Sequence, residues 1–279
     1  MTGTLFIVAT PMGNLEDITF RAVRVLKEVD IIAAEDTRHS RKLLTHYGIT
    51  TPMTACHEHN ENQRAKELVE RLTTGKSIAL ISDAGTPLIS DPGYRLVKQA
   101  GEKNIPVVPV PGCNAAITGL SASGLPTDAF LFCGFPPKKA GKLEKFLTKM
   151  ESQSATLIFY ESPKRIKALV SSSINALGDR EACLARELTK RYEEFIRGSL
   201  SQILSSLEAR DQVKGECVLF IQGKDSESSA LSSNDLDALI LDRLSENPKT
   251  GDLAKELSAL SNLPRKQIYN KILKLKKST

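Results

Sequence analysis

The chain has 279 residues, 41% hydrophobic and 25% charged, with 38 lysines and arginines against 33 acids for a net charge of +5. That apolar content excludes disorder throughout, and the length predicts two domains and a short appendage rather than one small core. The surplus charge is uneven: residues 264–279 hold Arg265, Lys266, Lys271, Lys274, Lys276 and Lys277 and no acid, a local +6, so the remainder sums to −1.

The first apolar run, 5–9, follows no basic stretch and is too short for a signal segment or a membrane span. Cys56, Cys113, Cys133, Cys183 and Cys217 form no CxxC and are expected to be reduced core residues. A cytoplasmic protein with no membrane partner is the expectation.

Strand-like runs then alternate with helical periods. TLFIVA precedes a helix over about 17–28, VDIIAAED one over about 40–47, TPMTAC one over about 61–73, and SIALISD one over about 92–103, before IPVVPVP. Alternation of this kind is the mark of a parallel βαβ sheet, here an N-terminal α/β domain over 1–118. A second α/β domain over 119–224 is read from FLFCGF, ATLIFYES, EACLAREL, EEFIRGS and ECVLFIQG, with helices near 139–151, 163–177 and 201–209. EACLAREL and EEFIRGS leave no room for a helix between them, so this sheet is expected to be mixed. Residues 225–233 read as a Ser-rich linker. Over 234–279 three short helices are expected, at 234–246, 250–260 and 264–276, the last two resembling a basic helix-turn-helix pair. That pair reads equally as a nucleic-acid contact or as a plain packing unit.

In an open parallel sheet, ligands sit beyond the carboxyl ends of the strands. The loops there are Thr10-Pro11-Met12-Gly13-Asn14, Glu35-Asp36-Thr37-Arg38, the stretch 82–93 (SDAGTPLISDPG), and Pro111-Gly112-Cys113-Asn114-Ala115-Ala116. Small residues let backbone amides approach a ligand and prolines stiffen the loops, so together they predict a small-molecule cleft. No GxGxxG follows the first strand and no GxxxxGK[ST] occurs, which speaks against a dinucleotide fold and a P-loop. His57-Glu58-His59 is the only dense candidate for a metal and reads better as a surface loop or substrate contact, so no metal is expected. No GxSxG elbow supports a serine nucleophile.

Taken in order, ATPMGNLEDIT, AEDTR, ISDAGTPLISDPG, VPGCNAA, FYESPKR, ARELTK and GECVLFI resemble the tetrapyrrole-methylase-like superfamily, and within it the branch that modifies ribosomal RNA. The resemblance covers residues 3–222. It implies two α/β domains, the first with a parallel sheet and the second mixed, with S-adenosyl-L-methionine in the cleft between them. By motif it implies cofactor contacts at Pro11, Met12, Asp83, Gly85, Thr86, Pro87, Ile89, Asn114, Ala115, Tyr160, Arg186, Gly215 and Glu216. Tetrapyrrole-modifying members carry GDP where this chain has Gly85-Thr86-Pro87, and that departure favours the RNA branch. The implied reaction is 2′-O-methylation of a cytidine in the decoding region of 16S rRNA, on the small ribosomal subunit, by a homodimer. The alternative is a small-molecule tetrapyrrole methyltransferase.

A ribose hydroxyl is a weak nucleophile, so a carboxylate that orients it or accepts its proton is expected. Asp36, Glu35 and Glu161 are the candidates, Asp36 first because it follows a strand end. Its other reading is a helix cap paired with Arg38. Arg38, Arg41, Lys42, Lys164, Arg165, Lys190 and Arg191, with Arg265, Lys266, Lys271 and Lys274 of the basic helix, are candidate RNA contacts, or else solvated charges. Aromatic residues make up only 5% and tryptophan is absent, so phosphate contacts are expected to outweigh base stacking.

Overall fold

A computed structural model of the chain describes residues 2–224, 233–244, 248–261 and 263–278. Short apolar runs without alternation make strands covered on both faces. β1 (Leu5–Val8), β2 (Ile31–Ala34), β3 (Met53–Ala55), β4 (Ile78–Ile81) and β5 (Val107–Val110) form an all-parallel sheet in the order β3-β2-β4-β1-β5. Crossover helices α1 (Phe20–Glu28), α2 (Thr37–His46), α3 (Glu61–Thr73) and α4 (Tyr94–Glu102) cover it. One face packs Leu5, Leu80 and Ile78 against Leu68, Leu72 and Leu96; the other packs Val8, Ile32 and Ile81 against Leu26 and Leu44.

Capping decides where the helices begin. Asp36 accepts the Arg38 N–H at 2.8 Å and starts α2 at Thr37, three residues before the expected 40. Thr19 caps α1 through the Ala22 N–H, while Leu15–Asp17 winds into a separate 3₁₀ turn, so the helix expected from 17 begins at Phe20.

After β5 the chain enters α5 (Ala115–Ser123), a helix that the sequence pattern does not predict. Its small residues AAITGLSAS form no apolar stripe, which removes the periodic signal on which such a reading depends. Although it follows the first sheet, α5 packs on the second, placing Ala116 and Leu120 against Ile158, Ala185, Val218 and Phe220. Gly119 permits this closeness, since a β-carbon there would lie 2.5 Å from Phe220 Cζ. The boundary expected at 118/119 falls inside this helix.

The second sheet, β6 (Phe130–Gly134), β7 (Thr156–Glu161), β8 (Glu181–Arg186), β9 (Glu194–Ser199) and β10 (Cys217–Ile221), runs in the order β6-β7-β10-β8-β9. It is mixed, with β6–β7 parallel and the other pairs antiparallel. α6 (Ala140–Thr148), α7 (Ile166–Leu177) and α8 (Leu200–Glu208) cover the face opposite α5, where Leu147, Phe159, Leu169, Ile203 and Leu219 are buried.

By its contacts the chain divides into two compact units, Met1–Glu151 with Thr156–Gln222 and Ser152–Ala155 with Gly223–Thr279. Both sheets belong to the first. In the second, α9 (Ser233–Leu244), α10 (Thr250–Ser261) and α11 (Arg265–Ser278) enclose Leu236, Ile240, Leu253, Leu257, Ile268 and Ile272. Residues 225–232 of the expected linker, and Asn262 of the expected helix-helix turn, lie outside the described residues; Ser233 opens α9. No helix among the described residues is long and apolar enough to cross a membrane. All five cysteines are free; Cys56, Cys183 and Cys217 are buried, and Cys113 and Cys133 only partly so. Burial pushes the Cys217 thiol up to about 12, leaving it protonated and unreactive.

Candidate active site

Three loops at the carboxyl ends of β1, β4 and β5 are tied together by hydrogen bonds. Thr10 and Gly85 exchange N–H···O bonds of 2.9 Å, the Thr10 hydroxyl donates to the Ser82 carbonyl at 3.2 Å, and the Thr86 hydroxyl donates to the Cys113 carbonyl at 2.8 Å. From the second sheet, Tyr160 on β7 brings its hydroxyl to the N–H of Ala116, the second residue of α5, at 3.0 Å. Its ring packs edge-on against Phe132 and Phe135, at 4.9 and 5.7 Å.

Between these loops lies a cavity of about 350 Å³, within the size range of small-molecule sites. Met12, Ile89, Leu188 and Val218 make its apolar wall; Thr86, Ser90, Asn114, Ser162, Asp91, Glu161 and Glu216 supply polar groups. Among the described residues no lysine, arginine or histidine lines it. An apolar wall with anionic edges and no cation suits an apolar ligand carrying positive charge and is a poor cradle for phosphate.

Of the residues expected at the cofactor, Met12, Gly85, Thr86, Ile89, Asn114, Ala115, Tyr160 and Glu216 line the cavity together, and Pro11, Asp83, Pro87, Arg186 and Gly215 do not. Pro11 and Pro87 are buried behind it. Asp83 joins strand ends, accepting the Asp36 N–H at 3.0 Å and donating its own N–H to Glu35 at 3.4 Å. Arg186 faces Glu194 across the β8–β9 pair at 3.0 Å and donates to the Lys214 carbonyl at 3.1 Å. Ala84, Ser90, Asp91, Phe135, Ser162, Pro163, Leu188, Cys217 and Val218 line the cavity without having been singled out. All but Phe135 lie inside the family motifs, which could have marked them; Phe135 carries no such signal.

The three expected acceptors have different fates. Asp36 is off the cavity; it caps α2 and pairs with Arg38 at 3.1 Å, and the bonds from Arg38 hold its carboxyl down at about 2, too weak a base to take a proton readily. Glu35 is also off the cavity, its pKa raised by burial and then by the Asp83 charge. Glu161 lines the cavity, but one oxygen accepts both Arg165 and the Ser162 N–H at 2.6 Å. Asp91 also lines it, and burial together with the charges of Glu35 and Asp83 lifts its carboxyl to about 6, the Ser82 hydroxyl opposing.

Several candidate RNA contacts already have partners: Arg38 with Asp36, Arg165 with Glu161, Lys190 with Glu187 and Glu216, and Lys271 with Asp237. Arg191 lies 5.7 Å from the Tyr192 ring centre, and Arg265 donates to the Gly251 carbonyl at 3.0 Å. Arg41, Lys42, Lys164, Lys266 and Lys274 are exposed.

Glu194 supports the site from behind, held by Arg186 at 3.0 Å and by two bonds from Arg210 at 2.7 and 2.8 Å, which with Arg210 foremost lower its carboxyl to about 2. A depressed carboxylate contributes stability above its unfolded pKa of about 4.3 and loses it as pH falls toward 2. Urea unfolding midpoints should therefore drop through that window. Glu194→Gln should flatten the drop and cost about 2 kcal/mol at neutral pH.

The model of the Tetrapyrrole (Corrin/Porphyrin) Methylases matches residues 4–204. The chain is 51% identical over 222 residues to the ribosomal RNA small subunit methyltransferase I of Halalkalibacterium halodurans, covering 79% of this chain and 76% of that protein. To the protein of the same name from Streptococcus pyogenes it is 44% identical, over 96% of this chain and 94% of the relative. Among solved structures, a uroporphyrin-III-C-methyltransferase from Thermus thermophilus superposes with a TM-score of 0.58 at 18% identity, covering 79% of this chain and 94% of that one. A diphthine synthase superposes at 0.60 and 14%, covering 80% and 90%. At those identities the two structures speak for the fold alone.

Proposed function

The chain belongs to the tetrapyrrole (corrin/porphyrin) methylase family, and we propose that it methylates the ribose 2′-hydroxyl of a cytidine in the 16S RNA of the small ribosomal subunit, using S-adenosylmethionine. The observation that carries the RNA substrate is 44% identity along 96% of the chain to a relative named as a small-subunit ribosomal RNA methyltransferase. The Thr86 departure from the GDP pattern of tetrapyrrole enzymes agrees with it.

The cavity suits this cofactor. Met12, Ile89, Leu188 and Val218 offer an apolar wall for an adenosyl group, and the Asp91 carboxylate favours its cationic end. When bound, S-adenosylmethionine supplies an electrophilic methyl group on a sulfonium that departs without needing a proton. What remains for the protein is alignment and exclusion of water. The Thr10–Gly85 and Thr86–Cys113 bonds fix the loops, and the Tyr160–Ala116 bond holds the second sheet to α5, so the walls stand preorganised.

Exposed Arg41, Lys42 and Lys164, with Lys266 and Lys274 on α11, are suited to phosphate contacts. A cytoplasmic homodimer completes the proposal; the apolar edge strand β6, with Phe130 45% and Leu131 38% exposed, supports such pairing.

Mass-spectrometric mapping of small-subunit RNA from cells lacking the protein tests the reading: a 2′-O-methyl group should be missing and should return when purified protein and cofactor are added. RNA affinity should fall steeply with salt, and Lys266→Ala should lessen the slope of log affinity against log salt by about 1. An intact methylation map would overturn the RNA assignment.

A further inference from the structure

Within the methyl-transfer reading, on which this inference rests, we propose that Asp91 is the catalytic proton acceptor for the attacking ribose hydroxyl. Three features of the structure select it. It lines the cavity together with Ser90 and Ser162, whereas Glu35 and Asp36 do not. Among the cavity carboxylates, Glu161 is occupied by Arg165 and Glu216 by Lys190, while Asp91 has no cationic partner among its interactions. Its loop is also held in a conformation that costs energy: Leu88 and Ser90 adopt φ of 73° and 69°, left-handed values that non-glycine residues avoid. Strain of this kind persists only where the surroundings over-determine it, and here Glu61 clamps the far end, accepting the Gly93 and Arg95 N–H groups at 3.0 and 2.9 Å.

The groups that bear on Asp91 come from three strands: Glu35 from the end of β2, Ser82 and Asp83 from the end of β4, and Tyr160 from β7. Burial first, and then the acids, raise its affinity for a proton into the range suited to a base working near neutral pH. In the reaction the C–S bond breaks with its electron pair remaining on sulfur. A hydroxyl lone pair forms the new O–C bond, and the hydroxyl proton passes to a carboxylate oxygen of Asp91. Sulfonium and carboxylate thus give way to neutral thioether and neutral acid, and the proton then leaves to water. Asp91 gains basicity as transfer removes the sulfonium charge from the cavity, so its protonation keeps step with the methyl group.

Single-turnover methylation of small ribosomal subunits by wild type and Asp91→Asn, from about pH 5 to 9, tests this, with S-adenosylhomocysteine affinity measured by calorimetry. The variant should lose roughly 100-fold or more in rate, together with the acid limb of the wild-type pH profile, and should bind S-adenosylhomocysteine within about threefold of wild type. Glu35→Gln, which removes a repelling charge outside the cavity, should move the wild-type limb to lower pH. A rate for Asp91→Asn within about fivefold of wild type, or a loss of affinity large enough to account for the slower rate, would overturn the assignment alone. Wild-type protein that leaves the particles unmethylated would sink the reading beneath it.

Discussion

Ala115→Phe is expected to weaken S-adenosylmethionine binding by roughly 100-fold, the ~2.7 kcal/mol of an overfilled site, while leaving the fold in place. Ala115 is the first residue of α5 and lines the cavity, so a phenyl group there takes space the cofactor needs. Ala115 is half-buried at the edge of the α5 core, and phenylalanine costs a helix position only about 0.7 kcal/mol or less. Calorimetry with S-adenosylhomocysteine would read the loss, and the thermal midpoint should shift by no more than about 3 °C. Ile117→Phe is the matched control. It enlarges a half-exposed side chain on the same helix off the cavity, and it should leave affinity unchanged.

Glu61→Ala should cost about 2–5 kcal/mol of stability and slow methylation at least tenfold, although Glu61 does not line the cavity. The carboxylate is 11% exposed and sits at the start of α3, where one oxygen takes both the Gly93 and Arg95 N–H groups at the start of α4. Without it two backbone donors lose their acceptor, and a negative charge that favours the helix terminus disappears. Only glycine fits at 93, since its φ of +127° and the Leu80 methyl 2.5 Å from any added β-carbon exclude other residues. Urea unfolding would measure the first effect and single-turnover kinetics the second. Glu61→Gln keeps an acceptor oxygen and should cost less than half as much.

The strands were legible because burial on both faces demands continuous apolar runs, and TLFIVA, SIALISD and ECVLFIQG supply them without interruption. α5 was not legible, because its packing partner Phe220 lies about a hundred residues away and small residues on every face give no period. The cofactor loops were legible as motifs, yet a motif does not say which of its residues turn inward. Arg186 and Glu194 meet only because the β8–β9 register sets them opposite each other, and no spacing announces a register. Asp36 and Asp91 are the instructive pair. Each is an aspartate in a loop after a strand, but Arg38 two residues later draws the first into a cap, whereas the strained turn at Leu88 and Ser90 carries the second into the cavity. In the sequence SDPG closes a cofactor-loop motif, and nothing in it says that Asp91 turns inward.

Because α5 rests on β10 rather than on the strand that precedes it, the order of synthesis matters to this chain. A ribosome that has just added Ser123 still has roughly a hundred residues to go before Phe220, about 5–20 s at ordinary elongation rates. Throughout that interval the first sheet can assemble, but Ala116 and Leu120 have no surface to cover them, and Tyr160 cannot yet settle against both α5 and the aromatic residues of its own sheet. The cofactor therefore has no folded half-molecule to bind and cannot assist the N-terminal sheet early. Nascent chains that stall before Cys217 would present a bare apolar helix, the kind of surface on which chaperones act.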